Sequence, residues 1–269
     1  MTATTLCFIN QKGGCGKSST CFHLAGYFAQ AGLNTLLVDA DPQGSLSQGF
    51  FGSARVENLG GRETLAVLFG DEFLSDPGSL PMRTPIENLS IVCANQALGP
   101  YNTPAPERTG LAQYAVREFL RGLSGYELVL VDCPPNLYCC SWNAMLAADH
   151  IIIPVPPEDF GTQGLRVVHQ AIEHARRLNP GLRLLGHLVT RRDARLLIHH
   201  AYEKKLRQLH GDAVLQTVIP EAAAFKVALA CRRPVTVHSP HSRAATLTAE
   251  LGVEILRRAR AGEASRRLA

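Results

Sequence analysis

The chain contains 269 residues, of which 46% are hydrophobic and 19% are charged, and its formal net charge is +4. This length suits one large α/β domain or two small ones, and the hydrophobic fraction is ample for a buried core. The first residues are small and polar, and the longest apolar run, Ala147 to Val155, is too short for a bilayer. We therefore expect no signal peptide and no membrane span, and we predict a cytosolic protein.

The first element is a glycine-rich loop between a strand and a helix. The apolar run Leu6 to Ile9 predicts a buried strand, and a helical pattern from about Ser18 to Ala31 follows the sequence QKGGCGKSS. Three glycines within four positions let backbone N–H groups turn inward around a phosphate chain, and the helix N-terminus adds its dipole. The spacing places Lys17 at the β- and γ-phosphates and the Ser18 hydroxyl at Mg²⁺. A basic turn is the simpler interpretation, but the strand, the helix and a second lysine, Lys12, favour a nucleoside triphosphate site.

A second buried strand, Asn34 to Val38, is followed by two aspartates, Asp39 and Asp41. Ligands of an open parallel sheet sit at the carboxyl ends of the strands, and alternate residues of an extended backbone face the same side. We therefore expect both carboxylates near the phosphate site. A pair of aspartates that only caps a turn is the alternative.

Residues 50–110 carry scattered Gly, Pro and charge, and we expect a variable surface section there, with a helical piece near Thr64–Phe69 and a strand near Leu89–Cys93. A helix follows from about Leu111 to Leu123. The apolar run Tyr126 to Val131 then predicts a buried strand that ends in Asp132, beside the strand of the glycine-rich loop.

The remaining chain continues the alternation of strands and helices. A strand at 149–155 leads through a proline-rich loop into a helix that ends near Leu178, and strands are predicted at Leu182–Thr190 and Val214–Pro220, with a last helix at Leu247–Ala261. This alternation predicts one α/β domain over residues 1–269. Its sheet should be mainly parallel and twisted, with helices on both faces.

Four of these motifs, in this order, resemble the ParA/MinD group of P-loop ATPases. The loop resembles the deviant Walker A motif KGGxGK[ST], with Gln11 where the standard P-loop has its first glycine. Asp39 to Gly44 resembles the Walker A′ element, and Asp132 to Pro135 resembles the Walker B strand end and switch. The loop around Phe160 resembles the segment that lines the nucleotide and the dimer interface.

The resemblance implies an ATP hydrolase that uses ATP and Mg²⁺ and works as a homodimer. Lys12 would reach across the dimer interface to the phosphates of the other subunit, and Asp41 would orient or deprotonate the attacking water. Asp39 would support the metal shell or the water, and Ser18 and Asp132 would hold the metal. The predicted nucleotide-binding residues are Lys12, Gly13, Gly14, Cys15, Gly16, Lys17, Ser18, Ser19 and, bordering the base, Pro220.

The charge of the chain is unevenly distributed. Residues 1–159 hold 8 Lys and Arg against 15 Asp and Glu, whereas residues 160–269 hold 19 against 8. Such segregation indicates an anionic partner, and solvated helix faces explain only part of it. Since phosphate contacts need charge and no base-reading motif, and ParA-type dimers use this half, we predict nonspecific double-stranded DNA binding. The candidate residues are Arg191, Arg192, Arg195, Lys204, Lys205, Lys226, Arg232 and Arg233.

Arg195 matches a DNA-contacting position of the family. The segment after Pro220, Glu-Ala-Ala-Ala-Phe-Lys, departs from the family by leaving only Lys226 where further arginines are usual.

The predicted function is ATP-dependent DNA partitioning, in which an ATP-bound dimer binds nucleoid DNA and a ParB-like partner stimulates hydrolysis. The loop begins near residue 11, so we expect no N-terminal helix-turn-helix domain. The same ATPase could instead position a protein cargo.

Two other classes of protein fit the sequence less well. A MinD-like membrane-associated regulator needs a bulky apolar C-terminal amphipathic helix, and the Arg/Ala-rich tail after Arg257 lacks one, so no stable membrane association is expected. A redox protein with a shared cluster needs suitable cysteine ligands. The eight cysteines form no CxxC pair and are expected to be buried, reduced thiols.

Overall fold

The computed structural model describes residues 3–70, 76–157 and 162–267, without the side chains of 162–163 and 262–267. Within these ranges one seven-stranded sheet is formed by β1 Thr4–Phe8, β2 Thr35–Asp39, β3 Met82–Arg83, β4 Leu89–Val92, β5 Leu128–Asp132, β6 His150–Val155 and β7 Arg183–Val189. The strand order is β3-β4-β2-β5-β1-β6-β7. Every pair is parallel except β3 with β4, at one edge. The predicted mainly parallel α/β fold is confirmed.

The helices of the described ranges are α1 Lys17–Gln30, α2 Ser45–Phe51, α3 Ser53–Glu57, α4 Ala115–Gly122, α5 Cys139–Ala147, α6 Thr162–Arg176, α7 Leu197–His210, α8 Ala223–Ala230, α9 Val235–His238 and α10 Arg243–Arg267. None of the described helices is both long enough and apolar enough to cross a membrane. The loop predicted around Phe160, which would line the nucleotide and the dimer interface, falls at 158–161, outside the described residues.

Two hydrophobic cores cover the two faces of the sheet. Successive residues of β1 alternate between them: Leu6 and Phe8 pack with α1 and α10, whereas Cys7 packs with residues of α4, α5 and α6. This alternation is the period-two pattern of a strand, and apolar residues on both faces are typical of a buried parallel sheet. Seven of the eight cysteines are buried, so the prediction of buried cysteines is confirmed for all but the exposed Cys231.

The register of the three central strands brings the predicted chemistry to one edge of the sheet. Asp132 at the end of β5 lies between Phe8 of β1 and Asp39 of β2. The glycine-rich loop leaves β1 at this same edge and leads into α1, so the loop and both carboxylates meet there. The strand order reverses around β1, which is the position where open α/β sheets bind ligands.

The section 50–110 differs from the prediction of a variable surface segment. β4 pairs with β2 along four positions, and Leu65, Ile91 and Leu98 are fully buried. The predicted helical piece near residues 64–69 is a short 3-10 helix, Leu65–Leu68. The short apolar stretches between its glycines and prolines therefore contribute to the core. The predicted helix over 111–123 is α-helical only in α4, because a 3-10 segment with a kink at Gly110 precedes it.

The predicted strand Val214–Pro220 is also wrong as a continuous strand. It runs beside β7 and forms only two isolated parallel bridges, at Val214 and at Pro220. Between them, the N–H groups of Gln216 and Thr217 donate to the Glu254 carboxylate of α10 at 2.8 and 2.9 Å. Since the Leu215 N–H donates to His187 of β7, a continuous ladder would next use the Thr217 N–H, which Glu254 takes instead.

We expect Glu254→Ala to lower the free energy of unfolding by about 2–4 kcal/mol. Glu254 is 6% exposed, and its removal leaves two backbone N–H groups without their acceptor and Arg258 without its carboxylate partner. The matched control is Glu250→Ala, one turn earlier on the same helix, where an exposed pair with Arg243 should contribute less than about 1 kcal/mol. Urea unfolding at pH 7 measures both, and equal destabilisation would contradict the assignment.

The destabilisation caused by Glu254→Ala should depend on pH. Burial alone raises the pKa of Glu254, but the N–H groups of Gln216 and Thr217 and the charge of Arg258 outweigh it, so this pKa is lowered from 4.5. A carboxylate whose pKa is lower in the folded protein than in the unfolded chain stabilises the fold at pH values above its unfolded pKa. This stabilisation is lost as the pH falls through the folded pKa. The difference in the free energy of unfolding between wild type and Glu254→Ala should therefore become smaller as the pH falls below 4.5.

Candidate nucleotide site

The glycine-rich loop is a nest whose shape requires glycine. Gly14 and Gly16 have φ angles of +69° and +89°, in the left-handed region that disfavours side chains. The end of β7 holds the loop from outside: the Thr190 hydroxyl donates to the Cys15 carbonyl at 2.7 Å, and Arg191 Nη1 donates to the Gly14 carbonyl at 2.8 Å. With these carbonyls turned outward, the loop's N–H groups are left for an anion.

Lys17 lies inside this loop and is 6% exposed. Its ammonium donates to the carbonyls of Asn10 and Lys12 at 3.2 and 3.3 Å. Neutral carbonyl groups do not neutralise the charge of the buried ammonium. A phosphate chain bound in the loop would supply the negative charge that does. The position fits the predicted contact with the β- and γ-phosphates.

Asn10 is a site residue that the sequence analysis missed. Its side-chain amide donates to the Pro154 carbonyl at the end of β6 at 2.7 Å, and its Oδ1 accepts the Lys12 N–H at 3.0 Å. Asn10 therefore anchors the start of the loop to the neighbouring strand. The only sequence signal was a polar residue directly after the apolar run.

Asp132 carries a buried carboxylate with neither oxygen hydrogen-bonded within the described part of the chain. Burial first, and then the neighbouring Asp39, raise its pKa well above the usual value, while the nearby Ser18 hydroxyl and Lys17 oppose this shift. An unpaired buried carboxylate beside a hydroxyl supplies the hard oxygen ligands that Mg²⁺ prefers. The residues present therefore fit a magnesium ion at Ser18 and Asp132.

Asp39 has a different environment, although it pairs with Asp132 in register. Its Oδ2 accepts the N–H and the hydroxyl of Ser47 at 2.9 and 2.7 Å, and its Oδ1 accepts the Asp41 N–H at 3.1 Å. The Ser47 Oγ in turn accepts a hydrogen bond, at 3.0 Å, from the N–H of Ala94, which lies just after β4. Burial raises the pKa of Asp39 to about 7. Asp39 thus lies behind the site and holds the turn between β2 and α2, and Ser47 is a second residue that the sequence did not indicate.

Asp41 reaches the pocket itself. It is 8% exposed and lies on the wall of a cavity of about 430 Å³, which residues 13–20 of the loop also line. Its Oδ1 accepts the Gln43 N–H at 2.9 Å. Ile219, Pro220 and Phe225 also line the cavity, so apolar side chains share one pocket with the phosphate-binding loop. That arrangement suits a nucleotide, with phosphates at the loop and the base against Pro220.

Comparison with known proteins agrees with this geometry. The sequence model of the AAA_31 family, described as an AAA domain, matches residues 3–184. The chain is 35% identical to the chromosome-partitioning ATPase Soj of Thermus thermophilus, over 93% of this chain and 94% of the relative. It is 32% identical to the chromosome partitioning protein ParA of Caulobacter vibrioides, over 95% and 94%. The chain belongs to the ParA family of P-loop ATPases.

Solved structures resemble this ParA family member over nearly the whole chain. Cobyrinic acid a,c-diamide synthase of Mycobacterium smegmatis, with bound ADP and magnesium, is 26% identical with a TM-score of 0.79, covering 97% of this chain and 96% of the other. McdA of Cyanothece reaches a TM-score of 0.82 at 20% identity, with coverages of 94% and 99%. The septum site-determining protein MinD of Pyrococcus horikoshii, complexed with Mg-ADP, reaches 0.70 at 24%, with coverages of 94% and 96%. The last two show the shared fold.

Two of the candidate DNA-binding residues lie at the nucleotide pocket of this ParA family member. Arg191 and Lys226 line the nucleotide pocket, where both pair with Glu221 at 2.9 and 2.5 Å. These two ion pairs, with Lys226 the stronger influence, lower the pKa of Glu221. The structure thus places two of the eight candidates in the nucleotide site.

The other candidates lie outside the pocket. Arg192 pairs with Glu203 at 3.2 Å, and Arg195, which is 88% exposed, pairs with Asp193 at 2.6 Å. Lys204 and Lys205 are exposed on α7, and neither has an ion-pair partner among the described residues. The exposed pair Arg232 and Arg233 follows α8.

Proposed function

We propose that this protein is a DNA-partitioning ATPase that binds ATP and Mg²⁺ in the pocket described above. The observation that carries the proposal is that a buried loop lysine and Asp41 line one pocket, while an unpaired buried aspartate, Asp132, lies behind it beside the Ser18 hydroxyl. The similarity to the partitioning ATPase Soj, at 35% identity over 93% of the chain, supports the biological role.

In this proposal the loop N–H groups and Lys17 hold the phosphates, and Ser18 and Asp132 hold the metal. The bound ion would offset the charge of the phosphates and of the transition state. Asp41 orients a water molecule on the pocket wall and accepts its proton. The water oxygen bonds to the γ-phosphorus as the bond to the β-phosphate oxygen breaks, so ADP and phosphate leave. Asp39 acts as a positioning residue, because both its oxygens are used to hold the Asp41 turn.

We propose that the protein forms an ATP-dependent homodimer in which Lys12 of one subunit contacts the phosphates bound by the other. Residues 13–20 line the chain's own cavity, whereas Lys12 is not part of that wall. Lys12 stands in the loop where the family has its extra lysine, which supports the role implied by the family resemblance. A cation supplied by a second copy would couple dimerisation to hydrolysis.

The ATP-bound dimer would bind nonspecific double-stranded DNA, and thereby the nucleoid, through the basic C-terminal half. Residues 160–269 hold 19 Lys and Arg against 8 Asp and Glu. Within that half, Lys204 and Lys205 on α7 are exposed and lack acidic partners in the described chain, as do Arg232 and Arg233 after α8. A ParB-like or adaptor protein carrying the cargo would stimulate hydrolysis and release the DNA.

We expect Lys204→Glu/Lys205→Glu to weaken ATP-dependent DNA binding roughly 100-fold at moderate salt, and to reduce the salt slope by about 0.9 for each DNA phosphate that is no longer neutralised. The control, Arg117→Glu/Arg121→Glu, makes the same change of charge on α4, in the acidic half of the chain. Fluorescence anisotropy with a labelled duplex measures affinity with ATP, with ADP and without nucleotide.

Two outcomes would contradict the DNA role: affinity that does not depend on nucleotide, or equal weakening in the two double variants. Light scattering on the same samples reports whether ATP produces a dimer. Sedimentation with anionic liposomes and ATP tests the membrane alternative, for which we expect no binding.

A further inference from the structure

Three histidines from three separate elements meet away from the nucleotide pocket. His169 of α6, His187 of β7 and His210 at the end of α7 each present a ring nitrogen, and these atoms all lie within 4.8 Å of one another. The Nε2 atoms of His169 and His187 are 3.0 Å apart. Neither ATP binding nor the proposed DNA contacts use these side chains.

His187 has the environment of an oriented metal ligand. It is fully buried, and its Nδ1 lies 3.2 Å from the Ala213 carbonyl. A carbonyl can only accept a hydrogen bond, so Nδ1 carries the proton and Nε2 keeps its lone pair toward His169. Metal-binding histidines typically donate their second ring N–H to a carbonyl or carboxylate, which fixes the tautomer and the ring orientation.

The rings also have the protonation state that ligation requires. Burial, with His210 and His169 as weaker influences, lowers the pKa of His187 to about 3, and burial lowers the pKa values of His169 and His210 as well. All three rings are therefore neutral at physiological pH. Nitrogen-only ligand sets of this kind suit Zn²⁺ and its neighbours in the first transition row and do not suit Mg²⁺ or Ca²⁺.

We propose that His169, His187 and His210 form a binding site for a divalent transition metal, with Zn²⁺ as its occupant. Zinc–nitrogen bonds of about 2.0–2.1 Å place two ligands of a tetrahedron roughly 3.3 Å apart, close to the separation of the His169 and His187 nitrogens. His210, the last residue of its helix, closes the set with a small adjustment.

The fourth position of the ion would face a second cavity. His169 and His210 line a space of about 420 Å³ whose wall includes Leu165, Val189 and Leu206. Three protein ligands with one open position are typical of sites where zinc binds water or an exogenous ligand. Because the ion would join α6 and α7 to β7, it would also stabilise this side of the fold.

The test uses the untagged, metal-free full-length protein, titrated with Co²⁺ as a spectroscopic probe and with Zn²⁺ in competition. We expect one Co²⁺ per chain with the visible absorption of a four- or five-coordinate ion, its displacement by Zn²⁺, and a rise in melting temperature with Zn²⁺. His210→Gln should lower Zn²⁺ affinity by on the order of 100-fold and remove the absorption band, while ATP turnover is retained.

The control is His200→Gln, an exposed histidine on the same helix outside the cluster, which should bind Zn²⁺ like wild type. His169→Gln provides a second ligand variant if His210→Gln folds poorly, as judged by circular dichroism. The proposal is overturned if wild type binds no Co²⁺ stoichiometrically, or if both cluster variants bind it as wild type does. In either case the close approach of His169 and His187 is a hydrogen-bonded imidazole pair.

Discussion

Replacing Asp41 with alanine is expected to lower the rate of ATP hydrolysis by about 10²- to 10⁴-fold, the usual contribution of a general base, and to leave ATP binding nearly unchanged. Asp41 lies on the pocket wall, whereas phosphate and metal binding depend on the loop, Lys17 and Asp132. The variant should therefore still form the ATP-bound dimer and stay on DNA. Phosphate release and anisotropy of a fluorescent ATP analogue measure the two properties separately.

Asp41→Asn separates chemistry from structure. An asparagine keeps an oxygen for the Gln43 N–H, which Asp41 accepts at 2.9 Å, but it cannot take a proton from water. We expect Asp41→Asn to be as slow as Asp41→Ala and as well folded as wild type. Normal turnover in Asp41→Asn would show that the carboxylate only shapes the turn, and the water-positioning role would then be wrong.

The parts of the site that are local in sequence could be predicted from the sequence. The glycines of the loop, Lys17 and the aspartates that follow β2 and β5 all carry short-range signals, since a buried strand ending in a polar residue reads directly as an edge of a parallel sheet. Their meeting at one pocket follows from the parallel register, which the alternation of strands and helices already implied.

The parts that depend on contacts between distant residues could not be predicted. Arg191 looked like a member of a basic surface cluster, yet it donates to the Gly14 carbonyl 177 positions away and lines the pocket. Asp39 was expected to support the metal shell or the water, but the Ser47 hydroxyl and N–H take one of its oxygens and the Asp41 N–H takes the other. A sequence shows the charge of a side chain but does not show which residue that side chain pairs with.

The same limit applies to the fold. The segment Val214–Pro220 has a strand-like apolar pattern, and only the carboxylate of Glu254, contributed by a helix later in the chain, explains why the ladder is interrupted. In residues 50–110 the many Gly, Pro and charged residues led to the prediction of a surface section. Residues between them, such as Leu65 and Ile91, are nevertheless fully buried.

Lys17→Ala is expected to weaken ATP binding by about 3 kcal/mol, or roughly 100-fold, because it removes the one cation buried inside the described loop. The matched control is Lys226→Ala, which removes a lysine from the wall of the same pocket. Lys226 is 73% exposed and paired with Glu221, so its removal should change the affinity less than about fivefold. Calorimetric titration with Mg-ATP measures both.

Lys17 also holds the loop together before any nucleotide binds, since its ammonium donates to the Asn10 and Lys12 carbonyls. Weak binding by Lys17→Ala could therefore reflect a collapsed loop. Lys17→Arg resolves this, because it keeps a cation on a longer, planar group that cannot reproduce the ammonium's position between the two carbonyls. If ATP binding depends on the position of the charge, Lys17→Arg will fold like wild type and still bind ATP weakly. Full affinity in Lys17→Arg would mean that any buried cation suffices, and the specific role given to the Lys17 ammonium would be wrong.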